Sequence, residues 1–471
     1  MVIPAQFTMS ESLRVRQSII HAPVKNNFSE PFGFDSPVLV KQTLGRADAA
    51  PGPYEYRWIR LLMSRTAENL PTTSFRDLSG RNLSGAASRP VILLFLAVTA
   101  LCFAGCDKPL DPAEVGFAAP VPYMTGGSGP ISVQAADFNG DGRIDLAIIN
   151  KTSGDVAILL GNGDGSFQTA VPYPPGVNDS SPIALAVADF NGDGKPDLVV
   201  VNSSAAGGSS SISILLNNGD GTFGAASNIA TPASGQSIAV GDLNDDGLPD
   251  LWIGSSPQSF VMLGKGDGTF QVATMYATTP SGSGGAMGVA IGDVNNDGKP
   301  DLLASNFSQN TVGILLNTGN GQFSNLSTVA TQGGPAAIAL ADLNQDSNLD
   351  MVVANLSFNT ATVRYGAGDG TFTNHLFTSA GSRPASVALA DFGGSGFLSA
   401  AFANSNGNGI TIVAGAANGT FADTYNFVTS KNIAPKPSCA VAADFNGDGK
   451  PDIAVVNFND NTVVILLNNF Q

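Results

Sequence analysis

The chain has 471 residues and a formal net charge of −16, unevenly placed: residues 1–90 hold 11 Lys/Arg against 7 Asp/Glu, and the remainder holds 11 against 31. An acidic body without a basic cluster repels phosphate backbones, which argues against nucleic-acid binding. Of those 31 acids 30 are Asp, Glu114 being the exception, and with 55 Gly this composition argues against long helices and for strands joined by tight turns.

In chain order, residues 1–90 form an N-terminal extension with no repeated motif, and no function is assigned to it. Val91–Gly105 reads VILLFLAVTALCFAG, preceded by Arg76, Arg81 and Arg89 and followed by Cys106. A basic flank, an apolar core and small residues at the end form the pattern of a signal peptide, and the run is short of the ~20 residues that span a bilayer. The ending Phe103-Ala104-Gly105-Cys106 resembles a bacterial lipobox, with Cys106 as the lipidation site, although Phe stands where Leu is usual. An ordinary secreted or singly anchored protein is the alternative. A start at Met63 would give this leader its conventional place and make residues 1–62 an untranslated extension. The other reading is a cytoplasmic segment ahead of an uncleaved anchor. Export to the cell envelope or the exterior is expected, with residues 107–115 linking the 91–106 segment to a body at 116–471. Cys439, alone in that body, reads as a small buried hydrophobe.

The body repeats. Seven copies of an apolar strand, DFNGDGKPD or a variant, and a second apolar strand start at Asp137, Asp189, Asp242, Asp293, Asp342, Asp391 and Asp444, 49 to 53 residues apart. A fixed period of this size means one supersecondary unit repeated. In the second copy PIALAVADF and LVVVN are apolar on consecutive residues, so both faces of both strands are expected to be buried, as between propeller blades. A third strand, SISILLN, precedes an NGDG turn and a fourth strand, which makes four strands per copy. The NGDG-type turns recur, and their Asp and Asn read as hairpin formers, with the following Phe in the core. The seventh copy stops after its third strand, while GFAAPVPYMTG at 116–126 resembles the missing piece. The fold class expected is all-β: a seven-bladed β-propeller of four-stranded blades, closed by an N-terminal strand that completes the last blade.

Each loop places oxygen side chains at positions 1, 3, 5 and 9, with position 7 offering a carbonyl. In the first copy these are Asp137, Asn139, Asp141 and Asp145, with Arg143 giving its carbonyl and Gly142 allowing the sharp turn. Hard oxygen donors at this spacing suit calcium, and three carboxylates so close should repel without a cation. Turn capping by the same residues is the plainer reading. The loop starts like an EF-hand but ends in Asp at position 9 and joins strands. On these residues the chain resembles the FG-GAP/VCBS repeat family, best known from integrin α-subunit propellers. The resemblance implies calcium between the first and second strands of a blade. By position it implies sites at Asp189, Asn191, Asp193, Lys195 and Asp197; at Asp242, Asn244, Asp246, Leu248 and Asp250; at Asp293, Asn295, Asp297, Lys299 and Asp301; and at Asp444, Asn446, Asp448, Lys450 and Asp452. Lys195, Leu248, Lys299 and Lys450 would give carbonyls only. The fifth loop keeps Asp342, Asn344, Asp346, Asn348 and Asp350, but Ser347 replaces the Gly, which weakens it by about 1 kcal/mol. The sixth keeps only Asp391, with Gly393, Ser395 and Ser399 in the other places, and is expected to hold no ion. Five to six Ca²⁺ ions are expected.

The calcium loops and NGDG turns should share one face. The opposite face would present SNFSQNT (305–311), NLSFNTAT (355–362), NSNGNG (404–409) and NFNDNT (457–462), polar loops that suit sugars or peptides and equally suit ordinary turns. The function expected is a calcium-stabilised binding, adhesion or scaffold module for an extracellular glycan or protein, acting as a monomer and held to a membrane by a lipid if Cys106 is modified. A calcium-dependent polysaccharide lyase or hydrolase is the alternative. It is disfavoured because the body has one His, His375, and past Glu114 no Glu, while Asp179, Asp423 and Asp460 have no visible partner.

Overall fold

The computed structural model describes residues 116–469 apart from 177–179, 205–209, 283–284 and 433, together with four short strands nearer the N-terminus. The chain divides into two units, Met1–Pro109 and Leu110–Gln471. In the first, Gln17–Ile20 pairs with Leu39–Gln42 and Phe75–Arg76 with Asn82–Leu83. The apolar run Val91–Gly105, Cys106, the 107–115 linker and Asp179 lie outside the described residues.

The second unit is the expected propeller. Seven four-stranded antiparallel sheets follow one another, and each but the last is built from consecutive strands. Blade 1 is Pro130–Ala136, Asp145–Asn150, Asp155–Leu159 and Val171–Tyr173. Blade 7 is Pro437–Ala443, Asp452–Asn457 and Thr462–Leu466, completed by Val121–Met124 from the other end of the unit. There Met124 pairs with Thr462 and Val121 with Ile465, and Phe117 bridges to Asn468. The first strands contact one another in order around the ring, blade 7 against blade 1.

Burial follows the position of a strand in its blade. The second strands, such as Asp145–Asn150, Asp250–Ser255 and Asp452–Asn457, are buried at every residue. Their consecutive apolar residues meet neighbouring blades on both faces. Seven hydrophobic clusters sit between adjacent blades, one per seam; that between blades 7 and 1 joins Leu146, Ile148 and Leu159 to Val456, Val463 and Ile465. The first strands depart from expectation. Pro130–Ala136 and its counterparts are mostly half-buried because they line the ring's inner side, where small residues leave solvent access. Each first strand also carries a register shift near its start, between Pro130 and Ser132 in blade 1 and between Pro437 and Cys439 in blade 7, which bends the strand as it enters the ring. Cys439 is partly buried, against the cluster between blades 7 and 1.

Candidate functional site

Each repeated loop joins the first strand of a blade to the second. In blade 1 the Asp137 carboxylate accepts N–H groups from Gly140 (2.8 Å), Asp141 (3.2 Å) and Gly142 (2.7 Å). Asn139 Oδ1 accepts from Asp141 N–H and Asp141 Oδ1 from Arg143 N–H. Positions 1, 3 and 5 thus curl the chain round three oxygen-bearing side chains. At the surface Lys195 and Lys299 lie 3.2 Å from the position-5 carboxylates Asp193 and Asp297.

Position 9 differs in kind. Asp145, Asp197, Asp250, Asp301, Asp350 and Asp452 all have 0 % exposure. Asp145 accepts the N–H of Phe138 at 2.8 Å and of Gly161 at 2.7 Å, so one carboxylate ties the loop to the end of its own third strand. The same double bond recurs at Asp250, from Leu243 and Gly264, and at Asp301, from Val294 and Asn317. Burial pushes the Asp145, Asp250, Asp301 and Asp452 carboxyls up to about 6; the two N–H bonds oppose this, and the charges at positions 1 and 5 add to it. Asp197 and Asp350 are raised for the same reasons. The spacing alone points to these residues as candidate ligands and does not reveal that their oxygens serve buried backbone.

Among the described residues no three Asp, Glu, His or Cys side chains form a ready metal cluster, since the carboxylates face backbone N–H groups. The donor set of six loops still suits a hard cation: each of these brings three repelling carboxylates, an amide oxygen and a carbonyl. The sixth loop makes the comparison. Asp391 accepts from Ser395 and Gly396 N–H, and Ser399 Oγ accepts from Gly415 N–H in place of the buried Asp.

In the fifth loop Ser347 has φ 70, a left-handed conformation that its counterpart Gly142 (φ 80) adopts without strain. Nothing lies within 4 Å of a Cβ built on Gly142, so the backbone, not crowding, sets the difference. Ser347→Gly is expected to stabilise the protein by about 1 kcal/mol, read as a higher urea midpoint at unchanged slope. An unchanged or lower midpoint would refute the strain.

The NGDG turns stand on the same face, and their Asp residues are turn formers. Asp164 Oδ1 accepts from Ser166 N–H and Oγ–H, as Asp220 does from Thr222; the hydroxyl bond is the main cause of their lowered pKa. These turns lock one blade to the loop of the previous one. Gly221 N–H and Asn217 Nδ2 both donate to the Phe138 carbonyl, and Gly165 N–H donates to that of Phe445. Edge-on ring pairs add to the lock, Phe138 with Phe223 at 5.6 Å and Phe445 with Phe167 at 5.7 Å.

On the opposite face, much of the Asn that suggested recognition holds the seams. Asn310, Asn359 and Asn461, all left-handed, accept the N–H of Gly334, Arg383 and Gly129 in the next inter-blade linker, each at 2.8 Å. A second set, inside the same predicted loops, turns inward instead. Asn306 and Asn457, buried at the ends of second strands, bind Thr278 and Thr429 of the linker entering their blade. A regular signal marks the position in four blades: Asn150, Asn355, Asn404 and Asn457 each pair with a Pro that opens the first strand, whereas Asn306 pairs with Ala286.

The FG-GAP-like repeat description matches residues 137–200, 201–253, 242–304, 294–353, 342–402 and 397–455. No curated protein matches the chain. Among solved structures it is similar to BBS1N in complex with ARL6DN, at 14% identity over 74% of this chain and 96% of that chain, with a TM-score of 0.51. A lectin of Agrocybe aegerita, described as recognising non-reducing terminal N-acetylglucosamine, is 16% identical over 73% of this chain and 96% of that chain, with a TM-score of 0.48. A functionally unknown protein from Desulfotomaculum acetoxidans DSM 771 is 12% identical over 65% and 88%, with a TM-score of 0.47. With six matched repeats spanning most of the seven-bladed ring, the chain belongs to the FG-GAP-like repeat family.

Proposed function

We propose that this protein is an exported, calcium-stabilised binding module, anchored through Cys106, that takes an extracellular glycan or protein on the face opposite its repeated loops. The sixth loop carries the calcium part of this reading. It closes the same turn with Asp391 and neutral groups, so the carboxylates at positions 5 and 9 of the other six loops exceed what the turn needs. A cation accounts for them. Five intact loops would hold Ca²⁺ through positions 1, 3, 5 and 9 and the position-7 carbonyl, the Ser347 loop more weakly. The binding part rests on the fold, a rigid ring that presents short loops on each face.

At free calcium a hundredfold above Kd, each site adds about 2.7 kcal/mol. The melting temperature at pH 7.5 is therefore expected to rise by several degrees with calcium and fall with chelator. In metal-free protein the buried carboxyls titrate near 6 when folded and near 4 when unfolded. The folded state binds more protons between about pH 4 and 6, so metal-free stability falls as pH rises through that window. Calcium should reverse this slope. Identical melts with and without chelator at both pH 5 and pH 7.5 would overturn the calcium reading. An array of extracellular glycans and matrix proteins tests the binding reading, which fails if the calcium-loaded chain is retained on none.

A further inference from the structure

We propose that the face opposite the repeated loops carries, between blades 6 and 7, a site for the carboxylate or sulfate groups of an acidic polysaccharide. The proposal rests on the binding-module reading above. A depression of about 330 Å³ there is lined by Arg383, Ser405, Asn406, Ala434, Lys436 and Asn459. Several other cations are engaged locally: Lys195 and Lys299 with their own loops, Arg143 at 3.9 Å from Asp141, and Arg364 with the Ala330 carbonyl. Arg383 and Lys436 instead come together on one polar depression in a body rich in Asp. Lys436 Nζ stands 4.3 Å from the centre of the Phe458 ring, which holds its charge at the rim.

The residue types on a left-handed backbone set the depression apart as well. Among the described residues, left-handed residues other than Gly include eight of Asn, Asp, Gln or Ser, types that occur in turns; the remaining three are Arg383, Ala434 and Lys436, and all three line this depression. The conformation at Arg383 and Lys436 is that of the repeat's linker, where Gly129 (φ 65) and Gly334 (φ 67) stand before the first-strand Pro in blades 1 and 5, so blades 6 and 7 carry a cation where those carry glycine. Here Asn359 Oδ1 accepts the Arg383 N–H, Ser405 donates N–H and Oγ–H to the Arg383 carbonyl, and Phe458 N–H donates to that of Lys436. The two cation-bearing positions are fixed before any ligand arrives.

Guanidinium and ammonium groups suit oxyanions, while the Ser405 hydroxyl and Asn459 amide, whose donors serve the Arg383 and Ala434 carbonyls, leave oxygens that can accept from sugar hydroxyls. The largest apolar side chain in the lining is the Ala434 methyl, so an anchoring peptide side chain finds no pocket.

The test measures binding of the full, calcium-loaded chain to hyaluronan, which carries only carboxylates, to dextran sulfate, to neutral dextran and to polyglutamate. Hyaluronan or dextran sulfate should bind in a salt-sensitive way, whichever binds identifying the oxyanion, and neutral dextran should not. The double variant Arg383→Gln/Lys436→Gln should bind at least tenfold more weakly at an unchanged melting temperature, with Lys265→Gln on the other face as control; single variants replace the double should it melt lower. Equal binding by variant and parent, no acidic polysaccharide bound, or preferential binding of polyglutamate overturns the proposal. Retention on an array spot that the double variant leaves unchanged overturns this site alone and leaves the binding-module reading standing.

Discussion

A chain lacking residues 116–126 is expected to lose its cooperative thermal transition. Three losses coincide. The ladder between Val121–Met124 and Thr462–Ile465 goes, and with it the only described strand that covers the outer edge of the third strand of blade 7. Phe117, 1 % exposed, leaves the cluster between blades 6 and 7, where its ring lies 5.2 Å from Phe427 and 6.0 Å from Phe392. Its deletion alone costs about 3–5 kcal/mol. The Ala118 N–H to Leu467 carbonyl bond of 2.7 Å and the Thr125 bond to Asn461 disappear as well. Together these approach the ~5–15 kcal/mol that separates most folded domains from their unfolded state. Phe117→Ala is the milder version and should lower the urea midpoint at unchanged slope. A deletion chain that melts within about a degree of the parent would mean that the ring does not depend on this closure.

The closure is legible in the sequence because it is a matter of repeats: the last copy ends one strand short, and 116–126 resembles the missing strand. The blade count and the loop positions were legible for the same reason. Burial of the first strands was not. VADF, VGDL, IGDV and LADF are as apolar as the second strands, and only the choice of Ala and Gly hints that these strands line an open axis. Loop spacing put Asp145 near Asp137 and Asp141, but it could not reveal Gly161 N–H, 16 residues on, as its partner. The seam asparagines were hidden differently. Asn306 reads as a loop residue because it opens the polar run NFSQN, while its buried contacts are with Thr278, 28 residues earlier. Sequence thus gave types and spacings well, and gave poorly the long-range backbone donors that decide what a polar side chain does.

That distinction sets up the second large effect, at Asp301. Its carboxylate accepts the Val294 N–H at 3.0 Å and the Asn317 N–H at 2.7 Å, at full burial. Asp301→Ala leaves two buried donors unpaired, at about 1–3 kcal/mol each, and relieves the strain of a buried charge only in part. A net loss of about 3 kcal/mol is expected in chelator. Asp301→Ser copies the sixth blade, where Ser399 keeps the bond to the third strand and the Phe392 N–H turns to the Ala390 carbonyl. It should therefore lose about half as much. In calcium the difference between the two variants should stay the same, because both lack the position-9 ligand, while the gap between the parent and each variant should widen by the binding energy of one site. Urea unfolding of the three proteins with and without chelator separates the two roles of this residue. A gap the same in calcium as in chelator leaves Asp301 a backbone clamp alone, and the absence of any gap in chelator leaves it a ligand alone.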